Sequence, residues 1–390
     1  MHKPLRIVNY AVNGVGTGHI TRLIAISRWL RRHAERLNTA IEIYFLTSSE
    51  ASSLLFAERF PSFKLPSKTL IAEASIDEHE FLDLARPWVR QTLTALNPDL
   101  ILVDTFPQGY FNELDPFLKE GPKAALIYRP LKETHASLPE FQSALSHYNL
   151  ILVPEYEQNA PVLTPPAVGD RVRYIGPMLV REQDEVLGRE EARKVLGIAD
   201  DRLAVYISAG GGGDANAEGR IQASFEALCG MPELHLVIGA GPLYRGRCFY
   251  RDRVTWLAHG SAAELMAAFD MAVSAAGYNS FNELMHFGVP TVFIPQEKWA
   301  DDQKARAKRA ARAGAAVVLD SGADGGALRQ IIERFRDPAQ RLSVSYLARN
   351  LLPRNHAGDA AAALLGLLIP RPQIAGAGSA DDSTVTLNNP

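Results

Sequence analysis

The chain has 390 residues, enough for two domains of ordinary size. Hydrophobic residues make up 47% and charged residues 22%, as in a globular enzyme, and a net charge of −3 gives no reason to expect nucleic-acid binding. The chain contains two cysteines, Cys229 and Cys248, which argues against a disulfide framework or a cysteine metal site.

No apolar run reaches the roughly 18 residues that a membrane span needs. The start of the chain leads into a glycine loop and does not have the pattern of a signal peptide, so we expect a cytoplasmic protein.

The first predicted strand, residues 5–11, is followed by the glycine-rich stretch 13–19 and by a helix over about residues 20–37. This order is shared with dinucleotide-binding proteins. A G-x-G-x-x-G motif that begins at Gly14, however, needs glycine where His19 stands. The next predicted strand ends in Thr-Ser-Ser and not in the acid that would hold an adenosine ribose. A nicotinamide or flavin enzyme is therefore disfavoured.

His19 and Asp104 are the candidate catalytic residues of the first half. His19 lies at the predicted start of a helix, where the helix dipole disfavours the imidazolium and keeps the ring neutral. A neutral imidazole can accept a proton from an attacking hydroxyl; the alternative is a histidine that only caps or packs. Asp104 ends an apolar strand, on the side of a parallel sheet where sites form. Arg22 follows one turn after His19 and is interpreted as a solvated arginine or a phosphate contact.

The pattern of the first half alternates between strands and helices. Strands are predicted at residues 99–104, 124–128 and 150–153, and helices at 49–59 and 81–96, the second interrupted by Pro87. Such alternation predicts right-handed βαβ units and a parallel sheet. Residues 160–177 are rich in Pro and Gly and predict a domain boundary, with a first domain over 1–170 and a second over 171–345.

Four consecutive glycines follow a predicted strand at residues 204–208 and precede a helix. Exposed backbone N–H groups in such a loop, together with a helix N-terminus, form an anion cradle. The alternative is a flexible surface turn, since four glycines are costly to order. No Gly-Lys-Ser/Thr sequence follows, so the loop is not a P-loop.

A strand–helix–strand unit over residues 271–295 contains the most specific pattern in the chain. Gly277 closes a turn of small residues, the helix spans about 279–287, and Gly288 and Pro290 end it. Glu283, one turn into this helix, can accept hydrogen bonds from two ribose hydroxyls while the helix N-terminus binds phosphate. Beyond the next strand, the side chains of Asp301-Asp302-Gln303 suit the hydroxyls of a sugar. The alternative is that Glu283 caps its helix and the Asp-Asp-Gln run is a solvated helix start, with Asp as its N-cap.

These residues resemble the nucleotide-sugar motif of GT-B glycosyltransferases, in particular family 28 and the related family 1. The resemblance implies two Rossmann-like α/β domains that face a cleft, with the donor on the second and the acceptor on the first. It implies that Glu283 holds the ribose, that Asp302 and Gln303 reach the donor sugar, and that His19 matches the base of family 1. The donor contacts that it implies are Gly16, Gly18, Arg181, Gly210, Gly211, Gly212, His259, Gly260, Gly277, Asn279, Ser280, Glu283, Asp302 and Gln303.

The function implied is a metal-independent hexosyltransferase. It would move a hexose or N-acetylhexosamine from a nucleotide diphosphate sugar, a UDP-sugar by resemblance, to a hydroxyl or amine of a small-molecule, lipid-linked or glycan acceptor. No cofactor and no metal is expected, since the adjacent Asp301 and Asp302 do not form an Asp-x-Asp motif. Peripheral contact with the inner membrane stays open. The alternatives are a non-hydrolysing UDP-sugar epimerase and a non-catalytic protein that binds nucleotide sugars.

The end of the chain is predicted in two parts. Residues 342–368 have a helical pattern, and the resemblance implies that a C-terminal helix within 346–370 packs back on the first domain. Residues 371–390 are rich in Gly, Ala, Ser and Asp and are predicted to be a disordered tail.

Overall fold

The computed structural model describes residues 3–12, 16–109, 112–208, 210–257, 262–298 and 301–369. Within them, two parallel sheets form two α/β domains. The predicted tail at 371–390 lies outside the described residues.

The first domain is built on a parallel sheet. Its strands are β1 (Leu5–Ala11), β2 (Ile41–Thr47), β3 (Ser62–Lys64), β4 (Leu100–Asp104), β5 (Lys123–Ile127), β6 (Leu150–Val153) and β7 (Val172–Tyr174). They lie in the order β3-β2-β1-β4-β5-β6-β7. The helices are α1 (Gly18–Arg36), α2 (Ser53–Ala57), α3 (Lys68–Glu73), α4 (Glu78–Leu96), α5 (Asp115–Glu120), α6 (Glu133–Ala136) and α7 (Pro139–Leu145). Since Val172 pairs with Ile151, the sheet extends past the predicted limit at residue 170.

The second domain repeats this plan. Its strands are β8 (Leu203–Ser208), β9 (Leu234–Gly239), β10 (Val254–Trp256), β11 (Met271–Ser274), β12 (Thr291–Phe293) and β13 (Val317–Val318). They lie in the order β10-β9-β8-β11-β12-β13. The helices that follow the first domain are α8 (Arg189–Leu196), α9 (Ala217–Leu228), α10 (Tyr278–His286), α11 (Gln303–Arg312), α12 (Gly325–Arg334), α13 (Pro338–Leu351) and α14 (Ala357–Leu368). Three 3₁₀ helices occupy Pro166–Arg171, Gln183–Glu185 and Ala262–Ala268.

The central strands are buried along their whole length, as expected for parallel sheets covered by helices on both faces. Every residue of β4 is buried, and so is every residue of β9 and β11. Asp104 and Ser274 stand at the carboxyl ends of β4 and β11, and His235 is a buried polar residue near the amino end of β9. The carboxyl ends of β4 and β11 therefore place polar side chains at one edge of each sheet.

Two predicted elements of the first domain differ from the structure. Helix α4 runs through Pro87 without interruption. Its buried face of Ala85, Val89 and Leu93 and its Asp77 N-cap outweigh the roughly 3 kcal/mol that an internal proline costs. The helix predicted at 49–59 is shorter and spans Ser53–Ala57.

The helix predicted over 342–368 is two helices, because the chain is extended around Pro353. Helix α13 packs on α10 of the second domain, whereas α14 packs on α1 of the first. His33 Nε2 lies 3.0 Å from the carbonyl oxygen of Gly358 in this contact. The return of the chain to the first domain is thus made by α14.

The chain crosses between the domains twice, and the crossings are hydrogen-bonded to each other. The N–H of His356 donates to Pro177 O at 3.0 Å, and the N–H of Leu179 donates to Asn355 Oδ1 at 2.9 Å. Gly176 has φ +100°, and a Cβ there would lie 2.5 Å from the His356 ring. The two connections therefore pass in close contact.

None of the helices in the described ranges has the length and apolar composition needed to cross a bilayer.

We expect Leu364→Ala to lower stability by about 2–5 kcal/mol, the usual cost of a cavity at a fully buried leucine. Leu364 is 0% exposed between α14 and the core that contains Ile20 and Leu23. Thermal and urea unfolding measure the change. Leu342→Ala, at a side chain 72% exposed, is the control and should stay within about 0.5 kcal/mol. Equal losses in both variants would contradict the packing of α14 as described.

Candidate functional site

The site lies where the carboxyl ends of the two sheets face each other. Tyr278, the first residue of α10, donates its hydroxyl hydrogen to Pro154 O at 2.5 Å across the domains. The guanidinium carbons of Arg22 and Arg306 lie 5.1 and 5.8 Å from the centre of the Tyr278 ring. Arg22 belongs to the first domain and Arg306 to the second, so this ring joins the two halves of the cleft.

His19 and Asp104 come together in the first domain. His19 Nδ1 lies 2.6 Å from Asp104 Oδ1, and the imidazole stacks on Phe106 with 5.4 Å between ring centres. Because the ionised carboxylate can only accept, Nδ1 carries the hydrogen and Nε2 keeps its lone pair. Burial lowers the pKa of His19, although Asp104 pulls it the other way. The neutral imidazole predicted from the helix dipole is thus favoured, with burial as the main cause.

Arg22 is neither a solvated arginine nor a free phosphate ligand. It is 2% exposed, and its Nε and Nη2 donate to the two carboxylate oxygens of Asp104 at 2.9 and 2.6 Å. Burial opposes ionisation of Asp104, but Arg22 and His19 together hold the pKa of that carboxyl well below its usual range. The spacing of His19 and Arg22 along α1 places both on one face, and this was the signal available in the sequence.

The glycine loops of the two domains meet across the cleft. A Cβ on Gly211 would lie 3.2 Å from the backbone nitrogen of Thr17, which stands between Gly16 and Gly18. Gly210 and Gly212 have φ +71° and +81°, and a Cβ on Gly212 would lie 2.3 Å from Ala240 O. Glycine is therefore required in this loop for conformation and for close approach. The N–H of Gly210 donates to Ser208 Oγ at 3.1 Å, which orders the turn.

The N-terminus of α10 has the features of an anion site. Gly277 is its N-cap and supplies no capping side chain. Among the described residues, no hydrogen bond is found for the N–H groups of Asn279 and Ser280, and Asn279 Oδ1 is buried without a partner. Free N–H groups at a helix start favour a phosphate or carboxylate.

Glu283 follows one turn later on α10 and is partly exposed. Burial raises the pKa of its carboxyl to about 7, while Arg181 acts in the opposite direction. Within the described part of the chain no hydrogen bond to this carboxylate is found. The group is therefore available to accept hydrogen bonds from a ligand.

Gln303 lies beside the turn at Gly277, since a Cβ on that glycine would be 3.9 Å from Gln303 Nε2. The Oε1 of Gln303 accepts from the N–H of Gln296 at 3.0 Å. This bond uses the amide oxygen and leaves the hydrogens of Nε2 to donate to other groups. Asp302 is the N-cap of α11 and accepts from the N–H of Ala305 at 2.9 Å. Its capping role, the alternative considered from the sequence, is therefore present; its predicted contact with a sugar stays a prediction.

Arg181 pairs with two carboxylates, and its predicted contact with the donor phosphate stays a prediction. Its Nη2 donates to Glu58 Oε1 and Glu264 Oε1, both at 2.5 Å. Its Nη1 is buried and has no hydrogen-bond partner among the described residues, and the pair with Glu58 joins the domains. The predicted base contacts His259 and Gly260 lie outside the described residues.

An ion cluster that the sequence did not reveal lies beside these groups. Arg129 Nη1 and Arg306 Nη2 both donate to Asp301 Oδ1, at 2.7 and 2.9 Å. Burial opposes ionisation of Asp301, but Arg306 and Arg129 lower its pKa to about 2. The contact could not be predicted because Arg129 is far from the other two along the chain; its position directly after β5 was the only signal. In the described ranges, no cluster of three His, Cys, Asp or Glu side chains is placed to hold a metal ion.

Residues 235–348 match the family model of the glycosyltransferase family 28 C-terminal domain, which confirms the resemblance for this segment. A curated relative in Clavibacter michiganensis, a UDP-N-acetylglucosamine–N-acetylmuramyl-(pentapeptide) pyrophosphoryl-undecaprenol N-acetylglucosamine transferase, is 27% identical over 215 residues, 53% of this chain and 58% of the relative. The enzyme of the same name in Aquifex aeolicus is 27% identical over 150 residues, 37% of this chain and 43% of the relative. The chain thus spans about half the length of the curated relatives that it matches.

Solved structures show that the fold is that of the GT-B glycosyltransferases. The glycotransferase of kitacinnamycin superposes with a TM-score of 0.63 at 17% identity, over 94% of this chain and 100% of that one. Acinetobacter baumannii MurG superposes with a TM-score of 0.58 at 16% identity, over 93% of this chain and 99% of that one. The predicted fold class is confirmed.

We expect Glu283→Gln to gain thermal stability relative to the wild type as pH rises from 5 to 8. The pKa of Glu283 is near 7 in the folded protein and lower in the unfolded chain. The folded protein therefore binds this proton more tightly, and the contribution of Glu283 to stability falls as pH rises from 5 to 8. Thermal unfolding without nucleotide should show a gain of a few °C at pH 8 and almost none at pH 5. The exposed Glu190→Gln is the matched control. A pH-independent difference would contradict the buried environment of Glu283.

Proposed function

We propose that the protein transfers a hexose or N-acetylhexosamine from a nucleotide diphosphate sugar to a hydroxyl or amine of an acceptor. The observation that carries the proposal is the His19–Asp104 pair, 2.6 Å apart, in the same cleft as the donor-type loops of the second domain. One half supplies a base and the other an anion site, and the two meet at the glycine loops. This arrangement suits a reaction in which a proton leaves one substrate as a diphosphate leaves the other.

The second domain supplies groups suited to the donor. The N–H groups at the start of α10, and those of Gly211 and Gly212 in the loop that meets Thr17, are suited to a diphosphate. Glu283, free of hydrogen bonds among the described residues, is proposed to accept from the ribose hydroxyls. Gln303, next to Gly277, is proposed to bind the sugar together with Asp302.

In the proposed reaction the acceptor oxygen or nitrogen attacks the anomeric carbon directly. A new bond forms to that carbon, the bond from carbon to the diphosphate oxygen breaks, and the acceptor proton passes to Nε2 of His19. Asp104 stabilises the imidazolium that forms and fixes the tautomer beforehand, as a carboxylate does for a histidine base. Preorganised N–H groups stabilise the negative charge that develops on the leaving diphosphate.

The choice of donor for the first experiments follows from the relatives. Their names state that they transfer N-acetylglucosamine from UDP-N-acetylglucosamine to a pyrophosphoryl-undecaprenol acceptor. UDP-N-acetylglucosamine is therefore the first donor to test, and lipid-linked, glycan and small-molecule hydroxyls and amines form the acceptor panel. Peripheral contact with a membrane belongs to the proposal only for a lipid-linked acceptor.

We expect His19→Gln to reduce kcat about 10²–10⁴-fold with little change in donor KM, because a general base contributes in this range. The measurement is acceptor-dependent release of UDP, with UDP affinity by calorimetry to show that the donor site is intact. His235→Gln is the matched control, since His235 is buried at 7% exposure and hydrogen-bonded to Thr255. Full turnover by His19→Gln would refute the assignment of the base.

The epimerase and binding-protein alternatives are separated by the dependence of the reaction on the acceptor. A transferase releases nucleoside diphosphate only when acceptor is present and yields a glycosylated product. An epimerase converts the UDP-sugar into its isomer without any acceptor, and a binding protein raises the melting temperature with no turnover. Product analysis by mass spectrometry and NMR distinguishes the three.

We expect chelation by EDTA to leave turnover unchanged, because the proposal assigns stabilisation of the diphosphate to backbone N–H groups. Initial rates before and after dialysis against EDTA, with and without added Mg²⁺, measure this. A loss of rate that Mg²⁺ restores would show that a metal takes part.

A further inference from the structure

Two buried guanidinium groups share a single carboxylate at the centre of the cleft. Arg129 and Arg306 are each 11% exposed at the side chain, and Asp301 is 16% exposed. Both arginines donate to the same oxygen of Asp301. Burial lowers the pKa of Arg129, and Arg22 and Arg306 act in the same direction while Asp301 opposes them.

The neighbouring ions do not supply the missing negative charge. Asp104 is taken up by Arg22 with two hydrogen bonds. Glu155 pairs with Arg309 across the domains at 3.2 Å. Among the described residues, the cluster of these side chains thus holds one more guanidinium than carboxylates. Uncompensated buried charge is costly, and a bound anion would relieve it.

The shared carboxylate lies at the anion site of α10. Arg306 donates through Nη1 to Ala276 O at 2.7 Å and through Nη2 to Asp301 at 2.9 Å. One guanidinium therefore links Asp301 to the turn that ends in Gly277, the uncapped start of the helix.

Arg129 connects the same site to the first domain. It lies two residues after β5, which pairs with β4, the strand that ends in Asp104. Three residues further, Lys132 Nζ donates to Lys298 O of the second domain at 2.6 Å. The loop after β5 therefore contacts the segment that leads to Asp301 at two points.

We propose that Arg129 and Arg306 form a phosphoryl-binding site shared by the two domains, in which Asp301 takes the place of the donor's phosphate until a nucleotide diphosphate displaces it. The inference rests on the proposed function and adds two phosphate ligands and an internal competitor to it. The diphosphate supplies at least two negative charges where the carboxylate supplies one. Binding of the phosphate by Arg129 also fixes the first domain, with His19, over the donor.

The test compares nucleotides with and without their phosphates. Calorimetry gives Kd for UDP and uridine, and for dTDP and thymidine, with the full-length wild type, Asp301→Asn and Arg129→Met. Asp301→Asn is expected to strengthen diphosphate binding about three- to tenfold, because the competing anion is gone, with nucleoside binding unchanged. Arg129→Met is expected to weaken diphosphate binding about tenfold or more in both the wild-type and the Asp301→Asn background. Melting temperatures show that each variant is folded.

The double variant Glu155→Gln/Arg309→Met is the matched control. It removes another buried ion pair between the domains from the same helix α11 without changing net charge, and it should leave diphosphate affinity unchanged. Weaker diphosphate binding by Asp301→Asn, or unchanged binding by a folded Arg129→Met, would overturn the inference while leaving the proposed function intact. Failure of the wild type to bind any nucleoside diphosphate would instead refute the proposed function itself.

Discussion

The carboxylate of Asp104 is the group on which the cleft depends. It is fully buried at the end of β4, and it accepts hydrogen bonds from both His19 and Arg22. A buried charge is stable only when it is paired and hydrogen-bonded, and here the pairing also fixes a tautomer and the rotation of α1. Because Arg22 in turn lies over the ring of Tyr278, the same carboxylate connects the first domain to the start of α10. The tautomer of His19, the orientation of α1 and this domain contact thus depend on one ion group.

The cleft is electrostatically asymmetric between its two walls. On the side of the first domain, Arg22 pairs with Asp104, and burial keeps the imidazole of His19 unprotonated. On the side of the second domain, the described residues include N–H groups without hydrogen bonds at the start of α10 and the carboxyl of Glu283, whose pKa is raised. A ligand rich in negative charge at one end and hydroxyl groups at the other matches this division. Arg129 of the first domain and Arg306 of the second lie where the two walls of the cleft meet.

Local patterns predicted the parts of the site that lie within one element. The turn at Gly277 and the helix that carries Glu283 follow from small residues, a 3.6-residue period and a Gly–Pro stop, and the structure has them where expected. The pairing of Asp104 with His19 was predictable because Asp104 ends β4 and His19 starts the helix that follows the neighbouring strand β1, so both lie at the same edge of the sheet. The sequence could not show that Arg181 pairs with Glu58 and Glu264, or that Asp301 pairs with Arg129. Those contacts join segments more than 80 residues apart, and tertiary packing decides them. The interruption predicted at Pro87 is wrong, because burial of one face of α4 outweighs the low helix propensity of proline.

The paired crossings at residues 176–179 and 355–356 have a mechanical consequence. The chain passes from the first domain to the second in one crossing and returns in the other, and two hydrogen bonds join them, with Gly176 against the imidazole of His356. Sliding of one domain past the other would break these hydrogen bonds, whereas rotation about them would not. Such a rotation would still have to break the ion pairs Arg181–Glu58 and Arg129–Asp301, so these pairs oppose opening of the cleft.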